Sequence, residues 1–175
     1  MEFPDTYEGR RDKVIVTMLY STGMRAAELI GLEVADVNMH ESLVSVIGKR
    51  NKQRLIPMIP ELHDGLSAYL AERERLLSDV AENQALFLDA GTCKRILYAK
   101  LRVLVRDALA KVTMQSKRSP HVLRHSFATS MLNHSADLQS VKELLGHESL
   151  KTTAIYTHTT FEELKKMYNQ AHPRA

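Results

Sequence analysis

Residues 14–32 read VIVTMLYSTGMRAAELIGL. Two apolar clusters, Val14 to Leu19 and Ala26 to Leu32, have helix-compatible spacing and are parted by Ser21, Thr22 and Gly23. This predicts two short helices around a turn, with Arg25 at the start of the second. Directly downstream, residues 43–59 read LVSVIGKRNKQRLIPMI. A β-branched run, Leu43 to Ile47, and a second apolar run, Arg54 to Ile59 around Pro57, flank the basic turn Gly48-Lys49-Arg50-Asn51-Lys52. That pattern predicts a hairpin. Helices together with one small sheet predict an α+β domain.

The remaining chain reads as helix after helix. Pro60 opens an amphipathic segment to about Leu77, followed by a short apolar stretch, Leu86-Phe87-Leu88. From Lys94 to Val112 apolar residues recur at helical spacing with bases between them, which predicts one long basic helix. Ser119-Pro120 is a helix start, a capping hydroxyl before proline at the first helical position, and the helix carries His121, Arg124 and His125. Another helix runs from near Ala136 and Asp137 through Leu144 and Leu145 to Gly146, a left-handed cap. Ser149 caps a further short helix through Ile155 and Tyr156, and 161–168 forms a last amphipathic segment with the stripe Phe161, Leu164, Met167 and Tyr168. The fold class expected is α+β, mostly α-helical, with one small antiparallel sheet and one domain over 1–175.

Composition narrows the classes. The apolar share of 44% and charged share of 26% suit a globular core rather than a disordered chain. No apolar run reaches bilayer length and the first residues lack a signal-peptide pattern, so a cytoplasmic protein is expected. Cys93 is the single cysteine and is expected to be a buried structural thiol. The net charge of +3 is small, but unevenly placed. Acids dominate Glu61 to Glu82. From Cys93 to Arg124 the bases Lys94, Arg95, Lys100, Arg102, Arg106, Lys111, Lys117, Arg118 and Arg124 face only Asp107. Such a block is either a solvated face or a footprint for a phosphate backbone.

Glycine-rich phosphate loop, HExxH and GxSxG are all missing. What remains is a dispersed set: Arg25, Lys49, His121, Arg124, His147 and Tyr156. Singly, each has a plain structural reading; Arg25, for example, can simply pair with Glu28 three residues on. Together they supply what transesterification at a phosphodiester needs. Two arginine forks match the charge on nonbridging oxygens. A phenol with an ordinary pKa of about 10 becomes a nucleophile in a cationic site, and a turn lysine can protonate a leaving oxygen.

STGMRAAELIGL around Arg25, VIGKRNKQRLIPM around Lys49, HVLRHSFAT around Arg124, LLGH at His147 and TTAIYTH at Tyr156 resemble, in order and spacing, the tyrosine recombinase or phage integrase family, and most of all its bacterial Xer-type members. The resemblance implies the tyrosine recombinase catalytic-domain fold over 1–175, without the N-terminal core-binding domain that family members carry. It implies Tyr156 as nucleophile, Arg25 and Arg124 as phosphate clamps, Lys49 as general acid, and His121 and His147 as assisting groups. His125 matches the motif but no catalytic role, and is expected to pack. The turn departs from the usual GKGNK of Xer-type hairpins, with the bulkier basic residue Arg50 after Lys49. The implied reaction is site-specific DNA cleavage and rejoining through a 3'-phosphotyrosyl intermediate, with no metal or nucleotide cofactor.

The implied partners are double-stranded DNA and further protomers, joined through the C-terminal tail in a tetrameric synapse near the bacterial nucleoid; the isolated domain is expected to be monomeric without DNA. There the arginines and histidines should cluster, with Tyr156 free to lie outside their pocket. Two alternatives stay open: relaxation of supercoils in the manner of type IB topoisomerases, and a non-catalytic DNA-binding module using the basic helix. A third, metal-dependent hydrolysis, is prompted by His121 and His125 at i and i+4, but Arg124 between them would repel a cation.

Overall fold

Thr6 accepts the Gly9 amide at 3.1 Å and opens α1 (Tyr7–Thr22). This computed structural model describes residues 2–48, 51–77, 83–114, 117–134, 138–146, 166 and 168–172. The first helix is sixteen residues long, not a short one beginning near Val14. The polar residues before Val14 continue it because Arg11, almost wholly buried, donates to Leu88 O at 3.0 Å and to Asp12 at 2.8 Å.

Gly23 ends α1 in the left-handed region at φ 60°, and its amide returns to Leu19 O. The chain then enters α2 (Ala26–Gly31), a 3-10 turn at Val34–Asp36, and three strands: β1 (Val37–Asn38), β2 (Leu43–Ile47) and β3 (Gln53–Pro57). The sheet is antiparallel in the order β1-β2-β3. The expected hairpin is therefore the outer two thirds of a three-stranded sheet, extended by a two-residue strand too short to carry a periodic signal.

Four helices follow, α3 (Pro60–Leu77), α4 (Tyr98–Ala110), α5 (Pro120–Asn133) and α6 (Leu138–Leu145), and residues 168–171 are helical as well. α1 packs on α3, α4 and α5, α5 packs on α6, and α6 meets β3. One contiguous core results, with Ile15, Met18, Leu19, Leu29, Val44, Ile56, Leu66, Tyr69, Leu101, Val105, Phe127 and Met131 among its members. No helix among the described residues is long and apolar enough to cross a membrane.

Several sequence expectations are corrected. The basic helix begins at Tyr98, not Lys94, because residues 87–96 fold back on themselves: Asp89 N donates to Lys94 O at 2.8 Å and Ile96 N to Phe87 O at 3.0 Å. Cys93 is partly exposed, since it lies in that turn at φ 52°. Ser119 precedes α5 without a side-chain cap, and Pro120 alone marks the start. His125 is solvent-exposed rather than packed.

The basic block is also partly consumed inside the fold. Lys100 pairs with Asp89, Arg106 with Asp107, and Arg95 with Glu33 while donating to Leu32 O at 3.0 Å. Lys94, Arg102 and Lys117 are exposed and form no ion pair with another described residue. Of the C-terminal stripe, Tyr168 folds back on the chain's own core: it is fully buried, donates to Ser21 O at 2.8 Å and stacks on His172 at 5.2 Å. Phe161, Leu164 and Met167, and the short helix expected after Ser149, lie outside the described residues.

Candidate functional site

The left-handed turn at Gly23 decides where the first arginine goes. It drops Met24 into the core and leaves Arg25 as the residue before α2, extended at φ −75° and half-exposed. The α2 N-terminus is closed by its own third residue. Glu28 Oε2 accepts the Arg25 amide at 2.7 Å, and Glu28 Oε1 accepts Arg25 Nη1 at 2.8 Å. The plain pairing of Arg25 with Glu28 is thus present, and it orients the guanidinium rather than hiding it.

Arg54 approaches the same carboxylate from β3. Its Nη2 donates to Glu28 Oε2 at 2.8 Å and its Nη1 to Oε1 at 3.2 Å, a fork on a carboxylate, while Nε donates to Leu144 O at 2.9 Å. Both side chains of this ion pair are only 7% exposed. Burial works to raise the Glu28 carboxyl, but donation from Arg54 and from the Arg25 amide and side chain outweighs it and holds the group below its usual value.

Arg124 comes from α5. Its Nη1 donates to Gly23 O and its Nη2 to Leu145 O at 2.7 Å, so one side chain ties the end of α1 to the end of α6. Burial, reinforced by repulsion from Arg25 and Arg54 and partly offset by Glu28, pushes the Arg124 guanidinium down to about 10. It remains cationic at neutral pH. Arg25 and Arg54 thus bind one carboxylate, Glu28, and Arg124 lies near enough to feel all three charges, which leaves a local excess of positive charge. A cleft of about 400 Å³ opens beside it, lined by Arg25, Ala27, Glu28, Ile47 and Gly48. An anion with several oxygens is the ligand such a group favours.

Arg25 and Arg124 are therefore brought together. His121 lies one turn before Arg124 on α5 with its side chain exposed. Lys49, His147 and Tyr156 lie outside the described residues, but the residues before the first two are described: Gly48 lines the cleft, and Gly146 lies against Arg54. Among the described residues no group of three His, Cys, Asp or Glu side chains is placed to hold a metal ion. Sequence reading passed over Arg54. The available signal was parity, because Arg54 sits on the same strand face as buried Ile56 and pairs in register with Val46.

Gly146 is in the left-handed region at φ 65°, and a Cβ there would meet Arg54 Nη1 at 3.1 Å and Cζ at 3.3 Å. A Gly146→Ala variant is expected to lose about 1–2 kcal/mol from the backbone conformation alone and to press on the Arg54 guanidinium. Thermal melts read this loss. A melting temperature equal to that of the parent would show that the contact gives way freely.

The sequence model of the phage integrase family matches residues 1–163. The chain belongs to the phage integrase family. Among its relatives, the tyrosine recombinase XerC of Pelotomaculum thermopropionicum is 43% identical over 181 residues, covering 100% of this chain and 59% of that protein. The crystal structure of XerA recombinase is similar with a TM-score of 0.72 at 37% identity, covering 96% of this chain and 58% of the other. The XerH site-specific recombinase bound to its difH substrate in a pre-cleavage complex is similar with a TM-score of 0.72 at 30% identity, over 96% of this chain and 49% of the other. This family member thus spans three-fifths or less of the length of these relatives. Its helices and three-stranded sheet form the tyrosine recombinase catalytic-domain fold.

Proposed function

We propose that residues 1–175 form the catalytic domain of a site-specific DNA recombinase that cuts and rejoins duplex DNA through Tyr156. The observation that carries this reading is the meeting of Arg25 and Arg54 on the Glu28 carboxylate beside a cleft, with Arg124 held nearby on the Gly23 and Leu145 carbonyls. Similarity to XerC and to XerH in complex with DNA supports the same substrate class.

The chemistry follows from the residues. Arg25 and Arg124 hold the nonbridging oxygens of the scissile phosphate and stabilise the charge that builds on them in the transition state. Tyr156 Oη attacks phosphorus, and its phenolic proton passes toward the histidine side of the site, where His121 and His147 also hydrogen-bond the phosphate. The bond from phosphorus to the 5' oxygen breaks, and Lys49 delivers a proton to that oxygen. A 3'-phosphotyrosyl ester and a 5'-hydroxyl result, and attack by another 5'-hydroxyl reverses the sequence on a new partner. The balance needs no nucleotide or metal. Exposed Lys94, Arg102 and Lys117 supply phosphate-backbone contacts. Further protomers assemble on the DNA and engage one another through the tail that follows Tyr156.

The test uses the full-length protein and nicked duplexes built on the genomic fragment it binds most tightly, with EDTA present. The expected result is a denaturant-resistant protein–DNA adduct that Tyr156→Phe abolishes. An adduct that survives this substitution removes Tyr156 from its role, and cleavage that EDTA blocks returns the reading to a metal-dependent hydrolase. Relaxation of any supercoiled plasmid, with no strand exchange between sites, would favour a topoisomerase.

A further inference from the structure

The proposed mechanism uses two arginines and leaves the third, Arg54, without a task. Its surroundings are unusually exacting. It is 6% exposed, sits on a strand face otherwise given to apolar residues, and spends its guanidinium on two separate elements: the Glu28 carboxylate of α2 and the Leu144 carbonyl at the end of α6. Glycines stand against it on two sides. A Cβ on Gly48 would lie 3.3 Å from Arg54 Nη1, and one on Gly146 would lie 3.1 Å from the same atom.

The last carbonyls of a helix have no partner inside it and carry partial negative charge. At the end of α6 two of them are taken by side chains from other elements, Leu144 O by Arg54 and Leu145 O by Arg124. The chain then leaves through Gly146 toward His147. Arg54 thus touches both ends of the cluster: through Glu28 it sets the orientation of Arg25, and beside Arg124 it holds the exit of α6.

We infer that Arg54 is a positioning residue for the phosphate clamp, joining β3, α2 and the end of α6 so that Arg25 and Arg124 present their charge to one phosphate. It does not touch the phosphate itself, because its donors point at Glu28 and Leu144. A lysine cannot take over this work, since one ammonium lacks the planar fork that meets both carboxylate oxygens and a carbonyl at once. The inference rests on the proposed recombinase reading.

Its test compares the full-length protein with Arg54→Lys and Arg54→Met in single-turnover cleavage of the same nicked duplex. A second duplex carries a methyl group in place of one nonbridging oxygen of the scissile phosphate and so demands less of the clamp. For Arg54→Lys, which keeps the buried charge, we expect cleavage to fall by roughly 10- to 100-fold with DNA affinity changed by less than about threefold. The deficit should shrink on the methylated duplex. Arg54→Met, where it folds, should show the same pattern more strongly. A deficit equal on both duplexes identifies a merely structural residue and overturns the inference, as does cleavage by Arg54→Lys at the parent rate. In both of those cases the parent still forms its Tyr156 adduct and the recombinase reading stands. A parent that forms no adduct removes both.

Discussion

A Glu28→Ala variant is expected to lose about 3–5 kcal/mol of stability, because the substitution leaves buried cations without their counter-charge. In a domain of this length that loss lowers the melting temperature by about 10 °C or more. The carboxylate accepts from the Arg25 amide, the Arg25 side chain and both Nη atoms of Arg54. Among the described residues Glu28 is the side chain with which Arg54 forms its ion pair, and Arg124 adds further positive charge nearby. Glu28→Gln tests charge separately from shape: its amide offers one acceptor and turns a donor toward the arginines, so it should be nearly as damaging.

The pH dependence follows from the same carboxylate. Its folded pKa lies below the usual value of 4.5, so the group binds its proton more readily in the unfolded chain. Its contribution is fully present above about 4.5 and is lost as pH falls through the depressed folded value. Melts of the parent should therefore converge toward those of Glu28→Gln on acidification. A gap between the two that is unchanged from neutral pH to well below 4.5 would show that charge is not what Glu28 supplies.

Gly23→Ala should be comparably severe for a different reason. The residue holds φ 60°, and a Cβ would lie 2.3 Å from Phe127 Cδ1 and 2.9 Å from Leu145 Cδ2. The left-handed conformation costs about 1–2 kcal/mol and the overpacking about 1–3 more, against a total stability of about 5–15 for a typical domain. The turn also presents the carbonyl that Arg124 binds, so relief of the clash by moving the backbone displaces the clamp. Gly31→Ala is the internal control, because nothing lies within 4 Å of its Cβ position. It should leave stability unchanged or raise it by about 0.5–1 kcal/mol. Equal melting temperatures for the two variants would show that α1 and α5 can separate at Gly23 without cost.

Much of the architecture was legible because its causes are local. The turn at Gly23, the hairpin on either side of residues 48–52, Pro60 and Pro120 as helix starts and Gly146 as a stop all follow from backbone preferences acting over a few residues. The misreadings share the opposite cause. Residues 94–97 have helical spacing, yet their backbone groups are claimed by Phe87, Asp89 and the strand-like return of the chain. The apolar cluster of the first helix starts at Val14, yet α1 begins at Tyr7, where a distant carbonyl, Leu88 O, gives Arg11 a partner inside.

The cluster divides the same way. The types and spacing of residues around Arg25 and Arg124 marked them as a pair with a purpose, and Glu28 stood three places on as an ordinary helix partner. Which charges are actually matched was decided only by the tertiary structure. Arg54 finds Glu28 26 positions away and Leu144 O 90 positions away, and Arg124 reaches Gly23 O across 101. Coulomb energy and desolvation depend on distance and burial in space, not on separation along the chain. The sequence by itself determined the helical domain, its small sheet and the two arginines. Folding determined that a third arginine, Arg54, is buried against the carboxylate that Arg25 also binds, because closing the core forces a buried charge to find a partner.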